Sequence, residues 1–161
     1  MTNFRGHFKE HNHNALEGFI RDLAANGRLN DALGEASRQG RLDLVRELLS
    51  EGASIELRAG GSTPLMFAAS GGSVKVVQFL IEQGADVNAV GEESGATPLI
   101  RCLSALHRKA TCLAVCRALL DAGARQTLAV RDADGRTALD WAKDGRPEEV
   151  LALLERYSIG E

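Results

Sequence analysis

The feature that most constrains this chain is a motif that recurs along it with little change. One copy begins at Thr63 and ends at Gly84, and the next runs from Thr97 to Gly123; both open with the tripeptide Thr-Pro-Leu. A looser copy begins at Thr137. A repeat of this size is one supersecondary unit that cannot bury its own apolar face, so neighbouring copies must cover each other. The sequence therefore predicts a stack of repeats rather than a domain built around one central core.

Each copy is expected to contain two short helices. In the copy that begins at Thr63, this threonine can cap a helix, and Pro64 suits the first helical turn. The glycine pair at 71–72 ends that helix, and apolar residues recur with helical period over 74–81. Gly84 then suits the left-handed backbone that closes a second helix. The motif is therefore a helix–turn–helix unit.

We predict an all-α repeat solenoid in which such helix–turn–helix units are joined by short hairpin loops. A weaker copy comes first, because Leu33 and Gly52 align with Leu65 and Gly84. Residues 15–161 are expected to form a single repeat domain. The predicted segments are a polar mobile tail (1–14), an N-terminal cap helix (15–27), repeat 1 (28–57), repeat 2 (58–91), repeat 3 (92–131) and a C-terminal capping repeat (132–161).

Repeat 3 carries an insertion. It is longer than repeat 2 by about five residues, and the extra length falls near 106–111. Extra residues on one face of a stack often belong to a binding surface, but loops also vary in length without a functional effect. The sequence leaves both interpretations open.

Over residues 28–156 the chain resembles the ankyrin-repeat family, most clearly between Thr63 and Asn88. It departs from the family pattern after the Thr-Pro-Leu tripeptide, where Met66, Ile100 and Asp140 stand in place of a histidine. The resemblance implies an L-shaped stack whose concave surface is made of hairpin tips and first helices. It also implies that this surface binds partner proteins.

The resemblance places the partner-binding candidates at the hairpin tips, along the first helices and in the insertion. By repeat, they are Arg58, Ser62, Met66 and Ser70; Glu92, Glu93, Arg101, Ser104, His107, Arg108 and Lys109; and Arg131, Asp134, Arg136, Asp140 and Lys143. Their charges have both signs, which suits electrostatic matching to one partner. Reversing the charges of Arg101 and Arg136 is expected to weaken such binding and to leave the fold intact.

The charge balance argues against a nucleic-acid partner. The chain has 19 basic and 22 acidic residues, a net charge of −3, and so lacks the basic excess that neutralises phosphates. No segment has the roughly 18 consecutive apolar residues of a membrane span, and residues 1–14 lack the apolar core of a secretory signal. An odd number of cysteines fits a reducing compartment. We therefore expect a cytoplasmic protein with neither nucleic acid nor membrane as its partner.

The three cysteines all lie in repeat 3. Cys112 and Cys116 are one helical turn apart, a spacing that metal ligands use. However, Cys102 aligns with Ala68 and Cys116 with Val77, which are core positions, and a thiol behaves there as a small hydrophobic group. We therefore expect core packing with no metal and no cofactor, and we expect Cys112, near a helix start, to be the thiol most open to reaction.

Two further features each allow two interpretations. His7, His11 and His13 form a cluster in the polar tail that could bind Zn²⁺ weakly or could be solvated without a ligand. Trp141 is the only tryptophan and aligns with Phe67. We expect it to pack within the last repeat, although a tryptophan at an interface would be a hot spot for binding.

We predict a non-catalytic protein–protein interaction module, because no nucleophile, base and orienting group occur together in a recognisable pattern. Such a module acts by holding, blocking or scaffolding its partner, for example as an inhibitor or an immunity-type protein, and is expected to be monomeric alone. One alternative is a self-associating structural protein, which Tyr157 and Ile159 near the end would favour. The other is a metal-binding or enzymatic protein that uses the cysteine or histidine cluster.

Overall fold

The computed structural model describes residues 4–56, 58–105, 109–144 and 147–159, with side chains from residue 15 onward except at 109 and 110. Within these ranges the chain forms nine α-helices and one short 3-10 helix. The α-helices are α1 (Phe4–Ala25), α2 (Leu29–Gln39), α3 (Leu42–Ser50), α4 (Pro64–Gly71), α5 (Val74–Glu82), α6 (Pro98–Ser104), α7 (Lys109–Asp121), α8 (Ala138–Lys143) and α9 (Glu148–Ile159). The 3-10 helix, Ala124–Thr127, follows α7.

The helices pack in two layers. The first layer consists of α2, α4, α6 and α8, each in contact with the next, and the second layer consists of α3, α5, α7 and α9 in the same arrangement. Each first-layer helix also contacts the second-layer helix that follows it. These contacts confirm the predicted all-α repeat solenoid. Each helix pair falls inside one predicted repeat segment, while the segment bounds themselves stay predictions.

The first helix is longer than the sequence analysis predicted. α1 begins at Phe4 and packs against α2, so helical backbone covers most of the segment that we predicted to be a mobile tail. Once a helix has nucleated, each added residue gains a hydrogen bond at little cost, so it can extend into a polar segment without an apolar period. The mobility of residues 1–14 stays a prediction. The side chains of His7, His11 and His13 lie outside the described part of the chain.

Threonine side chains cap three of the first-layer helices. The hydroxyls of Thr63, Thr97 and Thr137 accept hydrogen bonds from the backbone N–H three residues later, at 3.4, 3.3 and 3.2 Å. At the other end of α4, Gly72 has a φ of 69°, in the left-handed region. The threonine cap is part of the repeated motif, so these three repeats begin their first helix in the same way.

The first layer is closely packed because small residues lie between its helices. A Cβ atom added at Gly71 in α4 would lie 2.0 Å from the carbonyl oxygen of Arg38 in α2. A Cβ atom added at Gly34 in α2 would lie 3.0 Å from a ring carbon of Phe67 in α4. The backbones of neighbouring repeats therefore approach more closely than any side chain at Gly71 would permit.

Substitution of Gly71 by alanine should destabilise the stack. The added methyl group overlaps the Arg38 carbonyl oxygen, so α2 and α4 must separate, and we expect the free energy of unfolding to fall by about 1–3 kcal/mol. The matched control is Gly18→Ala in α1, where an added Cβ meets no atom within 4 Å. Because alanine has a higher helix propensity than glycine, the Gly18→Ala variant should have a free energy of unfolding higher by up to about 1 kcal/mol. Denaturant unfolding measures both, and wild-type stability in Gly71→Ala would contradict the close approach.

Repeat 3 differs from repeat 2 in its second helix. α7 has 13 residues, whereas α5 has 9. The sequence alignment pairs Leu113 with Val74, the first residue of α5, so residues 109–112 form a helical turn that repeat 2 lacks. Part of the insertion is therefore helix rather than loop. The candidates His107 and Arg108 lie outside the described residues, as does the side chain of Lys109.

Candidate functional site

The hairpin tips of repeat 2, repeat 3 and the C-terminal capping repeat are joined by backbone hydrogen bonds. The Glu92 N–H donates to the Gly61 carbonyl at 3.1 Å, and the Ala133 N–H donates to the Ser94 carbonyl at 2.8 Å. Bonds between backbone groups do not depend on which side chains are present. The three tips, residues 58–62, 91–96 and 131–136, therefore form one continuous row, which we call the tip row.

The tip of repeat 2 is a tight hairpin turn. The backbones of Ala59 and Ser62 exchange two hydrogen bonds, at 3.0 and 3.1 Å. Gly60 and Gly61 between them both have positive φ angles, of 53° and 72°. A two-residue turn of this type requires positive φ at both positions, which explains why two glycines stand here.

Two predicted candidates meet on neighbouring tips. The Arg58 guanidinium donates to the Val90 carbonyl, and its Nε lies 3.5 Å from a Glu92 carboxylate oxygen. The Glu92 side chain is 64% exposed and that of Arg58 is 31% exposed, so solvent screens the pair and it adds little stability. Its effect is to fix one charge of each sign on the tip row.

Two other candidates are buried. Ser62 is 4% exposed and Met66 is 1% exposed, so neither is available to a partner. α4 lies between α2 and α6, and positions that a single repeat would leave open are covered by its neighbours. Ile100, at the position in α6 that corresponds to Met66, is likewise buried.

Arg101 connects repeat 3 to repeat 2. Its Nη2 donates to the Ser62 hydroxyl at 2.8 Å, and its Nε is buried with no hydrogen-bond partner among the described residues. Reversal of this charge would therefore disturb the contact between repeats, contrary to the expectation that the fold would be unaffected. The hydroxyls of Ser70 and Ser104 donate to backbone carbonyls of their own helices, those of Phe67 and Arg101.

Arg136 is also part of the fold. Its guanidinium carbon lies 3.8 Å from the ring centroid of Trp141, and Nη2 donates to the Asp140 carbonyl at 3.0 Å. The Trp141 indole N–H donates to Asp132 at 2.6 Å. Trp141 thus packs within the last repeat, as we expected. Reversal of the Arg136 charge would remove its contact with the ring, so this variant does not test a binding surface alone either.

Two carboxylates fix the start of α8. Asp140 accepts hydrogen bonds from the backbone N–H and the hydroxyl of Thr137, at 3.0 and 2.8 Å, and these bonds lower the pKa of Asp140. Burial would raise the pKa of Asp132, but hydrogen bonds from the backbone N–H of Arg136, from the Trp141 indole and from the backbone N–H of Asp134 together lower it below its usual value. Both groups are therefore ionised in the folded protein at neutral pH.

Acidification should loosen the last repeat around Trp141. Because the folded pKa of Asp132 is lowered, its ionised form stabilises the fold above the unfolded value of about 3.9, and this contribution is lost as the pH falls through the folded pKa. We expect Trp141 fluorescence to titrate below about pH 4 and Asp132→Asn to remove that titration. Asp134→Asn, at an exposed position, is the control and should titrate like the wild type. An unchanged titration in Asp132→Asn would contradict this role.

The remaining candidates divide by exposure. Those exposed at the surface are Glu92, Glu93, Arg131, Asp134 and Lys143. Those half-buried are Arg58, Ser70, Arg101, Ser104, Arg136 and Asp140. The structure thus brings the exposed charges of repeat 3 and the C-terminal capping repeat onto the tip row and the end of α8. Several half-buried candidates bond within the chain instead.

Asp132 is not among the candidates predicted from the sequence. This residue accepts the indole hydrogen bond and also bonds from the backbone N–H groups of Asp134 and Arg136, at 3.0 and 2.9 Å. The available signal was its place at the start of a turn that ends in Gly135, because a short acidic side chain there often accepts hydrogen bonds from the next backbone N–H groups.

The three cysteines converge inside repeat 3. Cys102 in α6 and Cys112 and Cys116 in α7 are each at most 2% exposed, and their sulfur atoms lie 3.5, 3.8 and 3.9 Å apart. Hydrogen bonds with Cys102 and Cys112, together with burial, raise the pKa of the Cys116 thiol. The expected burial of Cys102 and Cys116 is confirmed. Cys112, which we expected to be the thiol most open to reaction, is also buried, because the added turn of α7 places it against Cys102.

Comparison with known proteins identifies the family. A family model described as ankyrin repeats, in three copies, matches residues 9–90 and 33–127. The chain belongs to the ankyrin-repeat family. Ankyrin repeats imply a protein–protein interaction module, in a family that is generally non-catalytic. No helix in the described residues is long and apolar enough to cross a membrane.

Its relatives are much longer proteins. The ankyrin repeat and KH domain-containing protein mask-1 of Caenorhabditis elegans is 41% identical over 130 residues, which are 79% of this chain and 5% of the relative. The ankyrin repeat, SAM and basic leucine zipper domain-containing protein 1 of Loxodonta africana is 36% identical over 123 residues, 75% of this chain and 25% of the relative. The palmitoyltransferase akr1 of Schizosaccharomyces pombe is 42% identical over 66 residues, 39% of this chain and 10% of the relative. This chain therefore matches only a small part of each of these relatives.

Proposed function

We propose that this chain is a non-catalytic module that binds a partner protein through the tip row and the exposed end of α8. The observation that supports this is the pair of backbone hydrogen bonds that join three successive tips. A surface held in place before binding loses little conformational entropy when the partner docks, so more of the contact energy remains as affinity.

The charges on this surface favour a partner of mixed charge. Glu92 and Glu93 are exposed on one tip, Arg131 and Asp134 on the next, and Lys143 near the end of α8. Alternating signs select a partner with the complementary pattern and disfavour others, because like charges placed together are repulsive. We infer that the module acts by holding, blocking or scaffolding, with an inhibitor or immunity-type role as the simplest form. The three thiols are consistent with a cytoplasmic location.

Charge reversal on the tip row tests the proposal. We would use Glu93→Lys with Asp134→Lys, because both residues are exposed and no described side-chain contact of either would be lost. The matched control is Glu82→Lys with Glu155→Lys, two exposed residues on α5 and α9 of the second layer. Both double variants change the net charge by the same amount. The wild type and both variants each serve as a tagged bait in a lysate of the source organism. The proteins that each bait captures are identified by mass spectrometry.

The outcome depends on the pattern across the three baits. We expect at least one protein that is captured by the wild type and by the second-layer control, and that is lost with the tip-row variant. The loss should exceed about tenfold, because several charge contacts would become repulsive. Retention of every captured protein by the tip-row variant would place the binding surface elsewhere and would overturn the assignment.

Self-association is the second candidate, and one side chain favours it. Ile159 near the end of α9 is 79% exposed, and an exposed apolar side chain at the end of a stack can pair with another copy. A single such residue offers far less apolar area than a stable interface needs, so we propose a monomer. Sedimentation at several concentrations should give one monomeric species, and a concentration-dependent dimer that Ile159→Ser abolishes would contradict this.

A further inference from the structure

All three cysteines of the chain meet at one point, although they come from two helices. Cys102 lies in α6, and Cys112 and Cys116 lie one turn apart in α7. The three sulfur atoms form a nearly regular triangle, with edges of 3.5, 3.8 and 3.9 Å. Each offers one ligand atom, and all three ligand atoms lie within 4.8 Å of one another.

This triangle has the size that a metal ion requires. A tetrahedral zinc ion about 2.3 Å from each of its thiolate ligands needs sulfur atoms roughly 3.8 Å apart. The observed edges are within about 0.3 Å of that distance, so an ion could be bound by small movements of the side chains. Three sulfur ligands select soft ions such as Zn²⁺ or Cu⁺ over the hard ions Mg²⁺ and Ca²⁺.

Core packing in this fold does not require sulfur at these positions. Repeat 2 has Ala68 and Val77 where repeat 3 has Cys102 and Cys116, and both are fully buried. The same helix pair is therefore packed with hydrocarbon alone in the neighbouring repeat. Repeat 3 has thiols at these two positions instead of hydrocarbon side chains, and their sulfur atoms lie 3.9 Å apart.

The third sulfur comes from the added first turn of α7, directly after the insertion. Cys112 lies in residues 109–112, the helical turn that α5 of repeat 2 lacks. It also lies in the first turn of a helix of 13 residues, where the helix dipole favours negative charge such as that of a thiolate. The added turn of α7 thus completes the triangle, a structural result that neither sequence interpretation of the insertion included.

We propose that Cys102, Cys112 and Cys116 form a binding site for one soft, thiophilic metal ion, with Zn²⁺ as the ion to test first. On binding, each thiol loses its proton to solvent and its sulfur forms a bond to the ion, so one Zn²⁺ displaces three protons and no electron is transferred. Three thiolates and Zn²⁺ together carry one negative charge. The bound ion links α6 to α7 and so stabilises repeat 3.

The test is metal binding by the reduced full-length protein, refolded with excess Zn²⁺ because the site is buried. We expect one ion for each chain after unbound metal is removed. The midpoint of thermal unfolding should rise by roughly 5–10 °C when free Zn²⁺ exceeds the dissociation constant a hundredfold. Cd²⁺ in place of Zn²⁺ should give the ultraviolet charge-transfer absorption of sulfur–cadmium bonds, which identifies the ligands as thiolates.

The control variant is Cys102→Ala with Cys116→Val, which installs the residues that repeat 2 holds at the same places. This variant should fold, as circular dichroism would show. Its affinity for Zn²⁺ should fall by more than about 100-fold, because two ligands are removed and even the loss of a residue that only supports a ligand costs up to about 100-fold. His7, His11 and His13 are replaced by asparagine in a second control, which should bind the ion as the wild type does. Equal binding by the cysteine variant, binding that disappears with the histidines, or no sulfur–cadmium absorption in the wild type would each overturn the proposal.

Discussion

The close approach of the first-layer helices is the constraint on which the rest of the structure depends. At Gly71 the backbone of α4 comes so near to Arg38 of α2 that no side chain fits between them. Further along the stack, successive hairpin tips lie within hydrogen-bond distance, so that Glu92 bonds to Gly61 and Ala133 to Ser94. The proposed binding surface therefore depends on the close stacking of neighbouring repeats.

Most of the fold could be predicted from the sequence because its signals are local. A threonine cap at Thr63 and a left-handed glycine at Gly72 act within a few residues of themselves, and they recur in register along the chain. The extension of α1 to Phe4 could not be predicted in this way, because it depends on the propagation of a helix already formed and not on an apolar pattern. The second helix of repeat 3 is likewise one turn longer than that of repeat 2. The sequence showed the extra residues but not whether they form helix or loop.

Much less of the candidate site could be predicted, because its residues act across repeats. Met66 aligns with Asp140, a candidate in the last repeat, yet the neighbouring repeats bury Met66. Arg136 and Asp140 have the charges expected of partner contacts. However, Arg136 packs over the Trp141 ring, and Asp140 accepts hydrogen bonds from Thr137, both within their own repeat. A sequence shows that a charge is present and does not show whether it faces a partner or its own chain. For the same reason the convergence of the three thiols was visible only once α6 and α7 were in place.

The central claim is that the tip row is held together by its own backbone bonds and is rigid before any partner binds. Amide hydrogen exchange of the free protein tests this most directly at Glu92 and Ala133. Both residues are exposed, although their N–H groups donate to neighbouring tips. We expect both amides to exchange as slowly as those in the middle of the first-layer helices, since opening the row requires the repeats to separate. Exchange of both at the rate of an unfolded chain, with the helices still protected, would show that the tips move independently and would contradict the account.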